Sequence, residues 1–432
     1  MEETAPKQIS WFRRHYHWVI FALMFLQFIV IAGLGNNVYS IYTIPVTEEL
    51  GITRGAFSLA STFAAIPAFF ANLVFSFFYT RFGHRKLASF SLVFVGLMYL
   101  LFAGAQSAMY FYVAAVLMAC VGVFYSTAGT ARLITEWFHR HQGLVLGIVF
   151  AASGVGAALF SILMTGIINT AGWRVSYVVS AGLFILFGVL IYLLVRNKPE
   201  EMGLAPYGDE QEEKAERKKH ARNVKEWEGI PLSELKRKPY FYLTLLGLFF
   251  VAYMTYIVYP TMVPHLQGMG MTSDQAAQIQ SLMFVFLSIA KIIEGGLSDR
   301  FGAKAVMFLC VGCGIVSTLM MATVRSYAMA VAASAVFSMA LTVSTIMLPV
   351  LTSDVFGRHS YGTILGIVLA VIRIATGTAP TVANSAFDMS GTYVPVYLFA
   401  AVLGGVAVIL FIFAFIGSRK DKKRLEAKEK TI

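Results

Sequence analysis

The sequence predicts an all-α membrane protein of about twelve transmembrane helices, arranged as two similar six-helix repeats. The 432 residues are 58% hydrophobic and only 13% charged, whereas an average soluble domain has about 25% charged residues. The apolar residues stand in long blocks, and many features recur at a spacing of 219 residues. Together these observations exclude an ordinary soluble domain.

The apolar blocks are long enough to cross a bilayer. An α-helix rises about 1.5 Å per residue, so the hydrocarbon core requires about 20 apolar residues. Inside lipid the backbone polar groups must be paired within their own segment, and each block is therefore predicted to be helical. The first block has no small-residue cleavage site and exceeds a signal-peptide core, so we expect it to be a retained span.

Twelve spans are predicted and are numbered here in chain order. They cover residues 17–44, 55–80, 87–107, 109–137, 141–169, 172–196, 240–266, 275–299, 303–324, 327–355, 360–386 and 391–417. Residues 197–239 are polar and rich in charge, which indicates a cytoplasmic linker. The chain is therefore predicted to consist of an N-terminal half (1–196), this linker (197–239), and a C-terminal half with a basic tail (240–432).

Positive charge lies mostly on one side of the predicted spans. The termini and the even-numbered connections carry 28 of the 34 Lys and Arg residues, and the other side carries three. The positive-inside rule then predicts that both termini are cytoplasmic, in a multi-pass protein of the inner or plasma membrane. The net charge of +11 follows from this asymmetry, so we expect no nucleic-acid partner. The lipid bilayer is the expected environment, and we expect a monomer.

The sequence contains no pattern of metal ligands or of a nucleophile with its base. Cys310 and Cys313 have the spacing of a redox or zinc motif, but no second pair or histidine cluster accompanies them. Since both lie in an apolar block, we expect them to pack as small hydrophobic residues. We therefore predict no cofactor, no metal and no enzymatic activity.

The spacing of 219 residues relates one half to the other. It aligns Arg81-Phe82-Gly83 with Arg300-Phe301-Gly302, and Gly172 with Gly391. Glu136 aligns with Asp354 after a slip of one residue. Two duplicated halves around a central pathway are typical of secondary transporters.

The connection after span 8 carries the most specific motif. Residues 295–304 read GGLSDRFGAK and match the major facilitator signature G-x-x-x-D-R-x-G-x-(R/K). The copy after span 2 keeps Arg81, Gly83 and Arg85 but lacks the Gly and the Asp. The chain resembles this superfamily over nearly its whole length, which implies the major facilitator fold and transport by alternating access.

Several charged residues stand at the ends of spans near these motifs. Asp299 and Arg300 follow span 8, Arg81 follows span 2, and Glu136 and Asp354 lie at the matching ends of spans 4 and 10. Charge pairs among them would latch one conformation and break in the other, so these five residues are the gating candidates. The alternative is static anchoring by positive charge at the cytoplasmic rim.

Four ionisable residues lie well inside the spans: Arg132, Lys291, Glu294 and Arg373. Each would cost about 2.5–3.5 kcal/mol or more if it faced lipid at the bilayer centre, so we expect them to face a cavity or a partner. Three cations against one acid favour a bound anion, most simply a carboxylate, because Arg binds carboxylates through two parallel hydrogen bonds. Glu294 is the candidate proton carrier, although it has the alternative of pairing with Lys291 or Arg132.

Polar and aromatic residues are expected to complete the binding site. Asn36 and Asn37 follow the glycine-rich stretch Gly33-Leu34-Gly35 in span 1, Tyr125 lies in span 4, and Tyr256 lies in span 7. Amides and hydroxyls that converge on a cavity orient a substrate. Hydrogen bonding between helices is the alternative role for each of them.

A closer resemblance concerns oxalate–formate antiporter-like and monocarboxylate transporters. Those families carry an Arg four residues before the first Gly of the span 8 motif, and Lys291 stands at that position, four before Gly295. Residues 137–147 also resemble their junction between spans 4 and 5. Monocarboxylate transporters carry an acid four residues before that Arg, where this chain has Leu287. Oxalate–formate antiporters carry a second cation in span 11, where this chain has Val368. The resemblance implies transport of a mono- or dicarboxylate, coupled to protons or to a counter-anion.

Two other functions are compatible with the same sequence. A drug or metabolite efflux pump of the same fold would favour cationic amphiphiles. A transporter-like sensor would bind without carrying, and would need an output segment.

Overall fold

The structure is a computed structural model. It describes residues 15–35, 39–139, 142–204, 206–207, 230–344, 347–357 and 359–429. Within these ranges, the side chains at 73, 76, 128, 142–143, 295, 299, 344, 347, 349–350, 362 and 423–429 are outside the description. The described part is helical throughout, apart from turns and one isolated β-bridge between Phe138 and Tyr207. The predicted all-α membrane fold is confirmed.

The N-terminal half forms spans 1 to 6. Their helices are Tyr16–Leu34 and Tyr39–Leu50 for span 1, Arg54–Ala103 for spans 2 and 3 together, Ala108–Tyr125 and Thr127–Trp137 for span 4, Gln142–Ala171 for span 5, and Trp173–Leu194 for span 6.

The C-terminal half forms spans 7 to 12 after the linker. Pro199–Met202 and Leu232–Leu235 are short helices of the linker, and residues 208–229 lie outside the description. The spans are Pro239–Val258, Tyr259–Thr261 and Met262–Gly268 for span 7, Ser273–Phe301 for span 8, Ala303–Ala322 for span 9, Tyr327–Leu341, Thr342–Ser344 and Met347–Phe356 for span 10, Tyr361–Ser390 for span 11, and Val394–Glu429 for span 12.

Eleven described helical segments are long and apolar enough to cross a membrane. The one predicted span that is not among these eleven is span 10, which is represented by the shorter apolar helix Tyr327–Leu341 and the segments that follow it. The structure thus contains a counterpart for each of the twelve predicted spans.

Glycine makes the sharp turn of the repeated motif possible. Gly83 has a φ of 73° at the kink that separates spans 2 and 3 within Arg54–Ala103, and Gly302 has a φ of 81° between spans 8 and 9. This left-handed region is strained for residues with a Cβ. At Gly83 a Cβ would also lie 2.7 Å from the amide of Asn197, whose Oδ1 accepts the backbone N–H of Arg85. The motif therefore anchors the end of span 6 to the turn between spans 2 and 3.

Spans 1, 4, 7 and 10 are each interrupted. Span 1 breaks after Leu34, span 4 at Ser126, span 7 at Tyr259–Thr261 and span 10 at Thr342–Ser344. Each of them is the first span of one of the four successive three-helix units of the chain. Discontinuous helices in transporters occur where backbone lines a cavity or is held by neighbouring side chains.

The two halves meet along two seams. Span 2 packs on span 11 (the 2/11 seam), and span 5 packs on span 8 (the 5/8 seam). The end of the bundle that carries Arg81 and Arg300 is called the basic rim, and the end that carries Arg54 and Arg325 the opposite rim. One hydrophobic cluster includes buried residues of both halves, while a second belongs to the C-terminal half alone, near the basic rim.

Candidate functional site

The 2/11 seam is tightly hydrogen-bonded from the opposite rim inwards. Asp388 accepts the backbone N–H groups of Arg54 at 3.1 Å and of Gly55 at 2.7 Å, at the N-terminus of span 2. The Arg54 guanidinium stacks on the Phe387 ring at 3.8 Å and donates to the Tyr393 hydroxyl at 3.2 Å. A carboxylate at a helix N-terminus also interacts favourably with the helix dipole. This group forms a latch between the halves.

Further along the same seam the two helices come into direct contact. Asn384 donates to the Ser58 hydroxyl at 2.7 Å, and Thr62 donates to the carbonyl oxygen of Gly377 at 2.9 Å. A Cβ at Gly377 would lie 2.6 Å from the Cβ of Ala65. Small residues permit such close approach of helices in a membrane.

The 5/8 seam follows the same plan on the other side of the bundle. Asn169 donates to Asp274 at 2.8 Å near the opposite rim, and Ser281 donates to the Ala158 carbonyl at 2.8 Å. A Cβ at Gly154 would lie 2.0 Å from the Ser288 hydroxyl. The contacts described between the halves are thus concentrated between the opposite rim and the middle of the spans.

Arg373 lies at the inner end of the 2/11 seam. It stands one helical turn, about 6 Å, before Gly377 and continues the stripe of span 11 that faces span 2. Its side chain is exposed, and it interacts electrostatically with the phenol of Tyr256 in span 7. The structure therefore brings together two of the residues that the sequence predicts for substrate binding.

Lys291 lies at the inner end of the 5/8 seam. It follows Ser288 by one turn, and its Nζ is 3.5 Å from the Ser153 hydroxyl of span 5. By the repeat, Lys291 corresponds to Asn72 and Arg373 to Gly154. Both cations at the inner ends of the seams consequently belong to the C-terminal half, and their N-terminal counterparts are uncharged.

Glu294 is completely buried within the C-terminal half. Its Oε1 accepts from the Cys310 thiol at 3.2 Å, and its Oε2 accepts from the hydroxyl of Thr342. Lys291 interacts with it electrostatically. Glu294 is therefore positioned between spans 8, 9 and 10, where it contacts the interruption of span 10, and Cys310 has a polar partner in addition to its packing role.

The two candidates from span 4 lie in the N-terminal half. Arg132 stacks over the Tyr79 ring with a distance of 4.9 Å to its centroid. Tyr125 is the last residue of the first helix of span 4 and is half-buried. Asn36 and Asn37 fall outside the described residues.

The gating candidates have the following surroundings at the basic rim. Asp354 pairs with Lys304 at 3.4 Å, so the acid of span 10 contacts the motif of its own half. Arg300 is exposed, Arg81 is exposed beside the Phe82 ring at 5.7 Å, and Glu136 is half-buried near Tyr79. The side chain of Asp299 is outside the description.

Sequence reasoning missed several residues that contact the site or the seams. Ser153 and the Arg54–Asp388 latch are among them, and so is Gln27, the one amide in the apolar stretch 18–32. The repeat could have pointed to Ser153, because it precedes Gly154, the counterpart of Arg373. No pattern in one sequence indicates which serine or amide faces the other half.

The family model of the Major Facilitator Superfamily matches residues 23–266 and again residues 244–431. The chain belongs to this superfamily. The first match covers the N-terminal half, the linker and span 7, and the second covers the C-terminal half. Its members named by the other comparisons are transporters, apart from one described as a sensor.

Relatives extend this result at low identity. Human monocarboxylate transporter 12 is 23% identical over 68% of this chain, but the match spans only 60% of that relative's length. An uncharacterized MFS-type transporter of Bacillus subtilis, YcxA, is 22% identical over 93% of this chain and 97% of its own. The membrane sensor protein UhpC of Salmonella typhimurium is 28% identical over 37% of this chain and 36% of its own length.

Solved structures share the fold. The nucleoside transporter NupG superposes with a TM-score of 0.70 at 13% identity, and covers 93% of this chain and 99% of its own. A bacterial homolog of the human lysosomal transporter Spinster superposes with a TM-score of 0.66 at 17% identity, with 96% and 98% coverage. At such identities the likeness concerns the fold alone.

Proposed function

We propose that this protein is a secondary active transporter that moves a small organic anion, a mono- or dicarboxylate, by alternating access. The observation that carries the proposal is the placement of Arg373 and Lys291. Each stands at the inner end of a seam between the halves, where a central substrate can contact both halves. Intramembrane cations are expensive in lipid and are retained where they bind a ligand or a partner.

The chemistry of the site favours a carboxylate. The Arg373 guanidinium can donate two parallel hydrogen bonds to a carboxylate, and the Ser153 hydroxyl, 3.5 Å from the Nζ of Lys291, is a further donor. A relative named for monocarboxylates agrees with this class. The described hydrogen bonds of Glu294 come from neutral groups, and its burial inside the spans supports its assignment as the carrier of the coupled proton.

The seams indicate the state of the transport cycle. Hydrogen bonds seal the halves together at the opposite rim, so a pathway would lead from Arg373 and Lys291 to the basic rim. We propose that the basic rim is cytoplasmic, because it carries the termini and most of the positive charge. The conformation would then be inward-facing.

The test is ligand binding to the purified protein by thermal shift, followed by uptake into vesicles. A selective ligand raises the melting temperature because it binds only the folded state. We expect stabilisation by a mono- or dicarboxylate, and a loss of about tenfold or more in affinity in Arg373→Ala and in Lys291→Ala. Arg325→Ala is the matched control, since Arg325 is an exposed loop cation at the opposite rim.

The outcomes separate this proposal from its rivals. Carboxylate binding that survives both substitutions would remove the assigned role of the two cations. Stabilisation by cationic amphiphiles alone would favour the efflux pump. Binding of a carboxylate without any uptake, at normal surface levels, would favour the sensor, which the partial similarity to UhpC keeps as the second candidate.

A further inference from the structure

Each of the four interrupted spans is bound at its break by a side chain from another span. In span 1 the carbonyl oxygen of Leu34 accepts from Tyr99, and in span 4 the carbonyl oxygen of Tyr125 accepts from Gln27. In span 7 the Thr261 hydroxyl is hydrogen-bonded to Tyr397, and in span 10 the Thr342 hydroxyl donates to Glu294. An interrupted helix exposes backbone groups that lipid cannot satisfy. Tyr99 and Gln27 bind backbone carbonyl oxygens at the breaks, whereas Tyr397 and Glu294 bind the side-chain hydroxyls of Thr261 and Thr342.

The break in span 4 has a clear local cause. Ser126 is extended, with φ −78° and ψ −168°, so the helix stops at Tyr125 and restarts at Thr127. Gly129 completes the break, because a Cβ there would lie 2.3 Å from the carbonyl oxygen of Phe124. A serine and a glycine close together are a common source of kinks in helices.

Gln27 joins the two sides of this break with a single amide group. Its Nε2 donates to the carbonyl oxygen of Tyr125 at 2.9 Å and to the hydroxyl of Thr130 at 3.3 Å. Gln27 and Thr130 are both completely buried. The amide therefore fixes the end of the first helix of span 4 relative to the second.

We propose that Gln27 is a positioning residue for transport. By holding the angle of span 4 at Ser126, it keeps Tyr125, at the end of the first helix, in place relative to the second helix, which carries Arg132. The inference rests on the proposed function only in the role of Tyr125 as a substrate contact. The two hydrogen bonds of Gln27 across the break in span 4, called here the Gln27 clamp, do not depend on which substrate is carried.

A double-mutant cycle on substrate affinity tests the positioning role. Gln27→Met removes the amide and keeps the length of the side chain, and we expect KM to rise about tenfold, the effect of losing two neutral hydrogen bonds. Combined with Tyr125→Phe, the effect should be clearly less than the product of the two single effects, because both changes disturb one contact. Tyr397→Phe removes the hydrogen bond to Thr261 at the break in span 7 instead. Its effect on KM should multiply with that of Tyr125→Phe. A normal KM in Gln27→Met at normal surface levels would overturn the proposal, as would independent effects.

A second measurement needs no substrate. In a variant whose native cysteines are replaced by alanine, Cys is introduced by Tyr125→Cys and its reaction with a water-soluble maleimide is timed, since thiol reactivity follows accessibility. We expect Gln27→Met to change this rate and Tyr397→Phe to leave it unchanged. If Gln27→Met does not fold, Gln27→Asn, whose amide is one methylene short of the break, is measured in the same way. An unchanged rate would refute the Gln27 clamp, even if no carboxylate binds and the proposed function fails.

Discussion

Glu294 shows how much the surroundings of one residue decide. The sequence identifies it as the acid inside span 8, next to Lys291, and leaves open whether it carries a proton or forms an ion pair. In the structure its carboxylate accepts hydrogen bonds from Cys310 and Thr342, both neutral donors. A buried acid held in this way can be uncharged or charged without breaking an ion pair at contact distance.

Glu294→Gln is therefore predicted to separate transport from its driving force. The amide mimics the protonated acid, so we expect uptake driven by a proton gradient to fall at least tenfold, while exchange of labelled for unlabelled substrate continues. The measurement compares both fluxes in proteoliposomes. Cys310→Ala is the control, because it removes one hydrogen bond to Glu294 and keeps the acid. Full gradient-driven uptake by Glu294→Gln would rule out the proton role.

At the scale of the helix, the N-terminus of span 2 is the best-defined contact between the halves. Asp388 of span 11 caps this helix through two backbone N–H groups, and Gly55 has no space for a side chain beside it. The repeat counterpart of Asp388 is Asn169, which instead donates to Asp274. Both seams thus have a carboxylate at this rim, which accepts two backbone hydrogen bonds in the 2/11 seam and one side-chain hydrogen bond in the 5/8 seam.

Asp388→Ala is predicted to favour opening at the opposite rim. Hydrogen bonds to charged groups contribute about 1.5–3 kcal/mol each, so the equilibrium should shift by about tenfold or more. A cysteine introduced by Ser58→Cys, which is completely buried in this seam, reports the change through its reaction with a water-soluble thiol reagent. Asp421→Ala is the matched control, as its salt bridge with Lys238 at 2.9 Å lies outside both seams. Equal labelling in both variants would show that the latch has no such role.

At the scale of the whole molecule, the two seams must separate for the cavity to open at the other side. The hydroxyl oxygens of Thr62 and Thr381 lie 2.8 Å apart across the 2/11 seam. We predict that Thr62→Cys with Thr381→Cys forms a disulfide under oxidation that stops transport, and that a reductant restores it. Either cysteine alone, in a background without native cysteines, should transport normally under the same oxidation. Continued transport with the cross-link formed would contradict alternating access through this seam.

The sequence by itself determined the membrane class, the spans, the duplication and the superfamily. These depend on length, hydropathy and spacing, which are local or periodic properties of the chain. The four intramembrane ionisable residues were also found from sequence, because a charge inside an apolar block is conspicuous wherever it points. Arg373 and Tyr256 were predicted separately, and only the fold brings them together.

Only the tertiary structure decided how the polar residues are paired. Gln27, Ser58, Ser153 and Asp388 are ordinary serines, amides and rim acids in the sequence, and their roles arise from partners more than 90 residues away. The interruption of span 4 was missed for the same reason, since it has no proline at the break and is stabilised by Gln27 of span 1. The interruption of span 10 was also missed, although Pro349 lies in the first turn of the helix that follows it. A linear pattern records which residues are apolar, whereas the fold determines which polar groups meet inside the membrane.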